Sequence, residues 1–182
     1  GLYTPESNDV SYLISADPLT NPYYILKEES YEVELFKDFT LSKNMLSNLK
    51  TNNRILNVVG SIYAKENGYH NCLMLNDTKS VAEALDGNIF LVKGNVLRTP
   101  PLGDGCIKGI IRKKILDILN KVDTYECLEE SISPFELQQA DELFITNSRN
   151  GIQPISKYRK KTFGNTVARD ILGKLNAAAR FN

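Results

Sequence analysis

The 182-residue sequence predicts a mixed α/β fold in which helices and strands do not strictly alternate. Two long segments, 51–67 and 107–122, carry apolar residues at helical spacing over a broad face. Short apolar runs bounded by glycine, proline and asparagine surround them and are typical of strands. Because these strands come in runs rather than singly between helices, a simple doubly wound sheet is not expected.

The first half of the chain predicts three strands and one helix. Three prolines and several turn formers in residues 1–24 indicate a linker that leads into a strand. Gly68 is expected to end the first helix. The predicted elements are, in order, a strand within 10–16, a strand at 31–39, the helix at 51–67 and a buried strand at 71–76.

The second half predicts a hairpin-rich sheet and three further helices. Lys93, Gly94 and Asn95 form a predicted hairpin loop. Ser133 is placed to cap a short helix, and Asn165 or Thr166 to cap the last one. The predicted elements are, in order, strands at 81–87, 88–94 and 95–100, the helix at 107–122, a strand at 124–130, a short helix at 133–140, a strand at 142–148 and a final amphipathic helix.

The composition of the chain argues against several functional classes. Lys plus Arg and Asp plus Glu are 22 each, so the chain lacks the positive surplus of proteins that bind nucleic acid or anionic membranes. No apolar run approaches the roughly 20 residues that span a bilayer, and no secretory signal is recognisable. Three cysteines without CxxC spacing and the single His70 indicate neither a disulfide scaffold nor a metal site. We therefore expect a cytoplasmic protein with no metal.

Lys50 is the first candidate for chemistry. It ends an apolar segment, where partial desolvation would lower the pKa of its amine and make it nucleophilic toward an aldehyde. Glu83 follows 33 positions later in a predicted hairpin. Taken alone, a lysine or a glutamate in such a position is more often a solvated surface side chain.

Two further segments have the composition of an anion site. Gly109 precedes a helix, and the N-terminus of a helix offers free backbone N–H groups at the positive end of the helix dipole. The turn at 146–151, which is predicted to lie between two strands, is rich in hydroxyls and backbone donors. An ordinary helix start and an ordinary turn are the alternatives.

In their order along the chain, these motifs resemble the class IV pyridoxal-phosphate enzymes. That family has a lysine, a glutamate some thirty-odd positions later, and then an Asn-(Ile/Leu/Val)-Phe sequence. A Thr-Pro-Pro signature and a Gly-Ile-x-Arg helix start follow. The corresponding segments here are Asn88-Ile89-Phe90, Thr99-Pro100-Pro101, Gly109-Ile110-Ile111-Arg112, Ala140-Asp141-Glu142 with Phe144, and residues 151–155.

The resemblance implies the large domain of a fold type IV enzyme, a mixed-sheet pseudo-barrel with surrounding helices that binds pyridoxal 5′-phosphate. Lys50 is the implied catalytic residue, which holds the cofactor as a Schiff base and carries the proton. Glu83 is implied at the pyridine nitrogen. The remaining implied cofactor-binding residues are Arg54, Asn88, Ile107 on the ring face, Gly109, Ile110 and Ile111 at the phosphate, and Ser148.

The same resemblance sets expectations for domains and substrate. Residues 1–12 are expected to be the end of a smaller N-terminal domain and its linker, and residues 13–182 the large domain. The Lys50, Asn53, Arg54 pattern favours a 4-amino-4-deoxychorismate lyase-like enzyme that releases pyruvate and 4-aminobenzoate. A branched-chain or D-amino-acid transaminase is the alternative, and an inactive fragment without the N-terminal domain is a second one. The expected partners are a small amino substrate, the absent domain and a second copy of the chain.

Overall fold

The computed structural model describes residues 2–181 and confirms the mixed α/β class. Within these residues, no helix is long and apolar enough to cross a bilayer. The α-helices are α1 (Ile55–Glu66), α2 (Ile110–Leu119) and α3 (Thr166–Phe181), and short 3-10 helices lie at Met45–Asn48, Leu102–Asp104 and Glu136–Gln139. The strands are β1 (Glu32–Leu41), β2 (Asn71–Asn76), β3 (Val81–Ala84), β4 (Asn88–Lys93), β5 (Val96–Thr99), β6 (Glu126–Glu129), β7 (Glu142–Asn147), β8 (Gly151–Ile155), β9 (Lys157–Tyr158) and β10 (Lys161–Thr162).

The strands form two mixed five-stranded sheets. The first has the order β10-β9-β1-β2-β3, with β1 and β2 parallel and joined through α1. The second has the order β6-β5-β4-β7-β8, with β4 antiparallel to both β5 and β7. A parallel pair needs a crossover connection, so α1 is placed against the first sheet by the chain path itself.

The sheets are joined at two seams and enclose one core. At the first seam the tight turn 85–87 carries the chain from β3 to β4, and the N–H of Ala84 donates to the Gly87 carbonyl at 2.8 Å. At the second, Ser156 alone separates β8 from β9. A Cβ at Gly87 would overlap the carbonyl oxygen of Thr146, so only glycine allows β7 to approach this closely. The result is the predicted pseudo-barrel.

Three apolar clusters give the fold its layers. The inner faces of both sheets share the central cluster, which includes the buried side chains Leu73 and Ile89. Phe36 on β1 packs with α1 outside the first sheet. Phe90 and Phe144 stack outside the second sheet, beneath α2 and α3, with ring centroids 5.1 Å apart. Burial on both faces explains why these strands read as apolar runs rather than as alternating patterns.

Several predicted elements differ from the structure. Residues 10–16 form no strand, because their apolar side chains lie exposed, as at Leu13 (95% exposed). The helices begin later than predicted, at Ile55 and Ile110. Strand β8 is the strand predicted to follow the turn at 146–151, whereas β9 and β10 were not predicted. The assignment of residues 13–182 to one large domain stays a prediction, since the first strand begins only at Glu32.

The helix caps also differ from the sequence expectation. The carboxylate of Glu142, at the start of β7, accepts the N–H groups of Val167 (2.9 Å) and Ala168 (3.0 Å) in the first turn of α3. This acid therefore caps α3 from the sheet, in the role predicted for Asn165 or Thr166.

Candidate active site

A cavity of about 430 Å³ lies where the turn after β3, the start of α2 and the end of β7 meet the segment that ends in Lys50. Its volume is in the range of small-molecule sites, roughly 300–1,000 Å³. All of the predicted site residues except Arg54 line it. The lining residues are Asn48, Leu49, Lys50, Glu83, Leu85, Asp86, Gly87, Asn88, Ile107, Lys108, Gly109, Ile110, Ile111, Thr146, Asn147 and Ser148.

Lys50 stands at the mouth of this cavity, on a segment that Asn48 fixes in place. The side-chain Nδ2 of Asn48 donates to the carbonyl oxygens of Leu102 (2.9 Å) and Cys106 (2.7 Å). The N–H of Lys108 donates to the Asn48 carbonyl at 3.0 Å. The partial desolvation expected for Lys50 is not found, because its side chain is exposed where the cavity opens to solvent.

Glu83 is the buried acid of the cavity, with 2% of its surface exposed. Its Oε2 accepts the N–H of Ile107 at 2.7 Å, and its Oε1 lies 3.4 Å from Nη1 of Arg54. Burial raises the pKa of Glu83 to about 7, while the Ile107 N–H, Arg54 and Lys50 oppose that rise. Each carboxylate oxygen has two lone pairs, so Glu83 can accept a further hydrogen bond from a ligand.

The first turn of α2 presents backbone donors to the cavity. Gly109 has extended backbone angles (φ −68°, ψ 140°), and the first intrahelical bond runs from the Lys113 N–H to its carbonyl at 3.0 Å. The N–H groups of Ile110 and Ile111 precede that bond and lie at the positive end of the helix dipole. This end of the cavity therefore suits an anion.

Asn88 and Gly109 pack so closely that position 109 requires glycine. Nδ2 of Asn88 donates to the Ile107 carbonyl at 2.8 Å and so fixes the chain just before α2. A Cβ at position 109 would overlap Oδ1 of Asn88. Asn88 thus holds the helix start in position, and its contact with the cofactor stays a prediction.

Thr146, near the end of β7, has a buried hydroxyl with no hydrogen-bond partner among residues 2–181. Thr99 is also buried, yet its hydroxyl donates to the Ile89 carbonyl at 2.8 Å. An unpartnered buried hydroxyl costs about 1–3 kcal/mol. Because Thr146 lines the cavity, an oxygen of a bound ligand would supply the partner that the protein does not.

Ser148 belongs to the same wall, two positions further along the chain. Its carbonyl accepts the hydroxyl of Tyr24 at 3.0 Å, and the ring of Tyr24 lies against Gly151. Gly151 has a left-handed backbone (φ +68°), and a Cβ there would come within 2.6 Å of that ring. The turn that carries Ser148 is therefore held from outside by the segment that precedes β1.

Comparison with known proteins identifies the family. The family model for amino-transferase class IV matches residues 1–158. The chain belongs to this family. Among curated class IV relatives, the mitochondrial branched-chain-amino-acid aminotransferase 1 of Arabidopsis thaliana is 37% identical over 105 residues, which are 57% of this chain and 26% of that protein. The chain spans less than half the length of the curated relatives that it matches.

Solved class IV structures share the fold. The branched-chain aminotransferase of Thermoproteus uzoniensis matches with a TM-score of 0.73 and 28% identity, over 82% of this chain and 51% of that one. The 4-amino-4-deoxychorismate lyase of Pseudomonas aeruginosa matches with a TM-score of 0.74 and 24% identity, over 84% of this chain and 56% of that one. Both kinds of enzyme therefore have this architecture.

Class IV aminotransferases use pyridoxal phosphate, and the lining residues fit that cofactor. The N–H groups at the start of α2 and the unpartnered hydroxyl of Thr146 match the oxygens of a phosphate. The buried carboxylate of Glu83 matches a ring nitrogen that carries a proton. Lys50 and Lys108 are the two amines of the lining, and Lys50 is the one whose charge acts on Glu83.

Arg54 is the predicted site residue that the structure does not place in the lining. Its guanidinium lies beside Glu83, and its Nη2 donates to the Leu49 carbonyl at 2.8 Å. Its direct contact with a cofactor stays a prediction. Sequence reasoning included Thr146 only as part of the hydroxyl-rich turn 146–151, without a role of its own, and it missed Asn48; the structure places Thr146 on β7.

Proposed function

We propose that this chain is the cofactor-binding part of a pyridoxal-phosphate-dependent class IV enzyme. The observation that carries the proposal is that one cavity is lined by an amine, a buried carboxylate and several hydrogen-bond donors that suit an anion. These are Lys50, Glu83 and the start of α2 with Thr146. The aldehyde, the ring nitrogen and the phosphate of the cofactor are therefore each matched by a different group of the protein.

When bound, pyridoxal phosphate supplies an aldehyde for an amino substrate and a ring that absorbs negative charge from the neighbouring carbon. Lys50 supplies the amine that holds the cofactor and, when neutral, takes and returns the proton of the substrate. Glu83 would accept the ring N–H and would keep that nitrogen protonated. The positive charge of that ring would in turn favour the ionised carboxylate and so oppose the effect of burial on the pKa of Glu83.

We propose a lyase-like reaction that releases pyruvate and 4-aminobenzoate from 4-amino-4-deoxychorismate. The pattern of Lys50, Asn53 and Arg54 supports it. The fold favours neither reaction, because lyases and transaminases share it. A branched-chain or D-amino-acid transaminase is the second candidate. The 37% identity to the Arabidopsis thaliana aminotransferase favours the branched-chain form.

We also propose that the active cytoplasmic enzyme is a homodimer with a further domain over the cavity. Apolar side chains at the rim support this, since Leu49 is 50% exposed and Ile110 is 73% exposed. Large apolar groups around a functional cavity are commonly covered by a partner surface. Sedimentation of the full-length protein tests the dimer, and a monomer under assay conditions would contradict it.

The cofactor proposal is tested by trapping. The protein is incubated with pyridoxal phosphate, reduced with borohydride, digested and mapped by mass spectrometry. We expect a pyridoxyl group on Lys50 in the wild-type protein. Lys50→Ala should lose both this adduct and turnover, whereas Lys108→Ala should keep the adduct on Lys50. An adduct confined to Lys108, or activity that survives in Lys50→Ala, would refute the assignment.

The reaction is tested separately on the full-length, cofactor-loaded protein. It receives 4-amino-4-deoxychorismate without a keto-acid acceptor, and the release of 4-aminobenzoate is followed. Repeated turnover supports the lyase. Conversion of the cofactor to its pyridoxamine form by a branched-chain or D-amino acid, with no 4-aminobenzoate released, supports the transaminase instead.

A further inference from the structure

We propose that Arg54 is a positioning residue, whose guanidinium holds the Lys50 segment and the Glu83 carboxylate at a fixed separation. The inference rests on the proposed function. It assigns Arg54 a role outside the cavity lining, in place of direct contact with the cofactor. Lys50 and Glu83 serve opposite ends of one rigid ring system, so their separation decides whether both can engage it at once.

The contacts of Arg54 join the two site residues directly. Nη2 donates to the carbonyl of Leu49, the residue before Lys50, at 2.8 Å. Nη1 lies 3.4 Å from Oε1 of Glu83. The planar guanidinium fixes the angle between these two donors, which a flexible ammonium group cannot do.

The backbone around Arg54 makes this link rigid. Its carbonyl accepts the N–H of Val58 at 3.1 Å, in the first turn of α1, and its own N–H donates to the Asn52 carbonyl at 2.9 Å. The Leu49 carbonyl also accepts the N–H of Thr51 at 3.0 Å. The short segment between the lysine and α1 is therefore closed by hydrogen bonds at both ends.

Stability alone does not explain this arrangement. Nε of Arg54 is buried without a partner among residues 2–181, and the pair with Glu83 is largely desolvated. Buried ion pairs are weak contributors to stability, and an unpartnered buried donor is a cost. A side chain kept at such a cost fits a role in the site better than a role in the fold.

Arg54 also acts on the charge of Glu83. The groups that face this carboxylate are Lys50, Arg54 and the Ile107 N–H, with the thiol of Cys106 beside it. Burial raises the pKa of Cys106 to about 12, so its thiol stays neutral across the working range. Removing Arg54 deletes a positive charge that favours ionised Glu83, and the pH needed to ionise it then rises.

The test compares Arg54→Gln and Arg54→Lys with a matched control, Arg98→Gln. Arg98 also forms an ion pair, with Glu136, and its side chain is 21% exposed, but it lies away from the cavity lining. The dissociation constant for pyridoxal phosphate is measured by fluorescence from pH 5 to pH 9, and unfolding by urea is measured in parallel. Because the free cofactor titrates identically in every sample, differences between variants report on the titratable groups of the protein, Glu83 and Lys50.

We expect Arg54→Gln to weaken binding about tenfold, the effect of losing one charge-assisted hydrogen bond, and to move the pH midpoint of binding upward. Arg54→Lys should restore the midpoint while binding stays weaker than in wild type, and Arg98→Gln should change neither. If Arg54→Gln had the affinity and the pH midpoint of wild type, the proposal would be overturned. It would also be overturned if Arg54→Lys, which keeps the charge and the approximate size of the side chain, restored both the affinity and the midpoint fully. Absence of borohydride trapping on wild-type Lys50 would instead overturn the proposed function.

Discussion

The ionisation of Glu83 predicts an unusual dependence of stability on pH. Its pKa is about 7 in the folded chain against an ordinary value of 4.5, because only 2% of the residue is exposed. Below pH 4.5 both states carry the neutral acid, and between pH 4.5 and pH 7 unfolding releases a proton. The free energy of unfolding therefore falls as pH rises through this window, by about 3 kcal/mol in total at about 1.4 kcal/mol per pKa unit.

Glu83→Gln removes this dependence because the amide is neutral throughout. We expect the variant, free of pyridoxal phosphate, to gain about 2–3 kcal/mol over wild type in unfolding free energy between pH 5 and pH 8. Urea unfolding at constant ionic strength measures the gap. Glu126→Gln, at an exposed position of β6, controls for the loss of a strand carboxylate. Parallel profiles for wild type and Glu83→Gln, or a gap that closes as pH rises, would refute the reasoning.

Two further substitutions test the anion end of the cavity. Thr146→Val should keep or raise the unfolding free energy, by up to about 1 kcal/mol, and weaken pyridoxal phosphate binding about tenfold. Thr99→Val, which removes a satisfied hydroxyl, should lower stability and leave affinity unchanged, and the reverse pattern would contradict the assignment. Gly109→Ala should lower the free energy of unfolding by about 1–3 kcal/mol and should also weaken pyridoxal phosphate binding, because the added Cβ meets Asn88. At Gly103, an added Cβ would meet no other part of residues 2–181 within 4 Å, so Gly103→Ala should change neither stability nor affinity in the same titrations. Equal effects at both glycines would refute the packing argument.

The order of motifs along the chain predicted the fold class and most of the cavity. Lys50, Glu83 and Gly109 are far apart in sequence, yet the structure brings all three to one cavity. This success depends on the resemblance, because each residue alone is compatible with an ordinary surface role. The exposure of Lys50 could not be read from the sequence, since it depends on which surfaces lie above the cavity mouth.

The residues that were missed act through contacts between distant parts of the chain. Asn48 reaches the loop before α2, and Glu142 caps α3 through the N–H of Val167, 25 positions further along the chain. Neither contact leaves a local signal, unlike a cap supplied by the adjacent residue. The bounds of strand β8 were not predicted, because Gly151 and Pro154 are unfavourable within a strand. Its position at the edge of its sheet is where proline is tolerated.

The close backbone approaches divide the cavity into a fixed part and an adaptable part. Its floor is built where Gly87 meets the carbonyl of Thr146, so no larger side chain can enter there without displacing a strand. The rim is formed by exposed side chains such as Leu49, Lys108 and Ile110, which can be exchanged without disturbing the core. Divergence in substrate preference should therefore accumulate as rim substitutions over an invariant floor. A mutagenesis library confined to the rim would sample new specificities at little risk to folding.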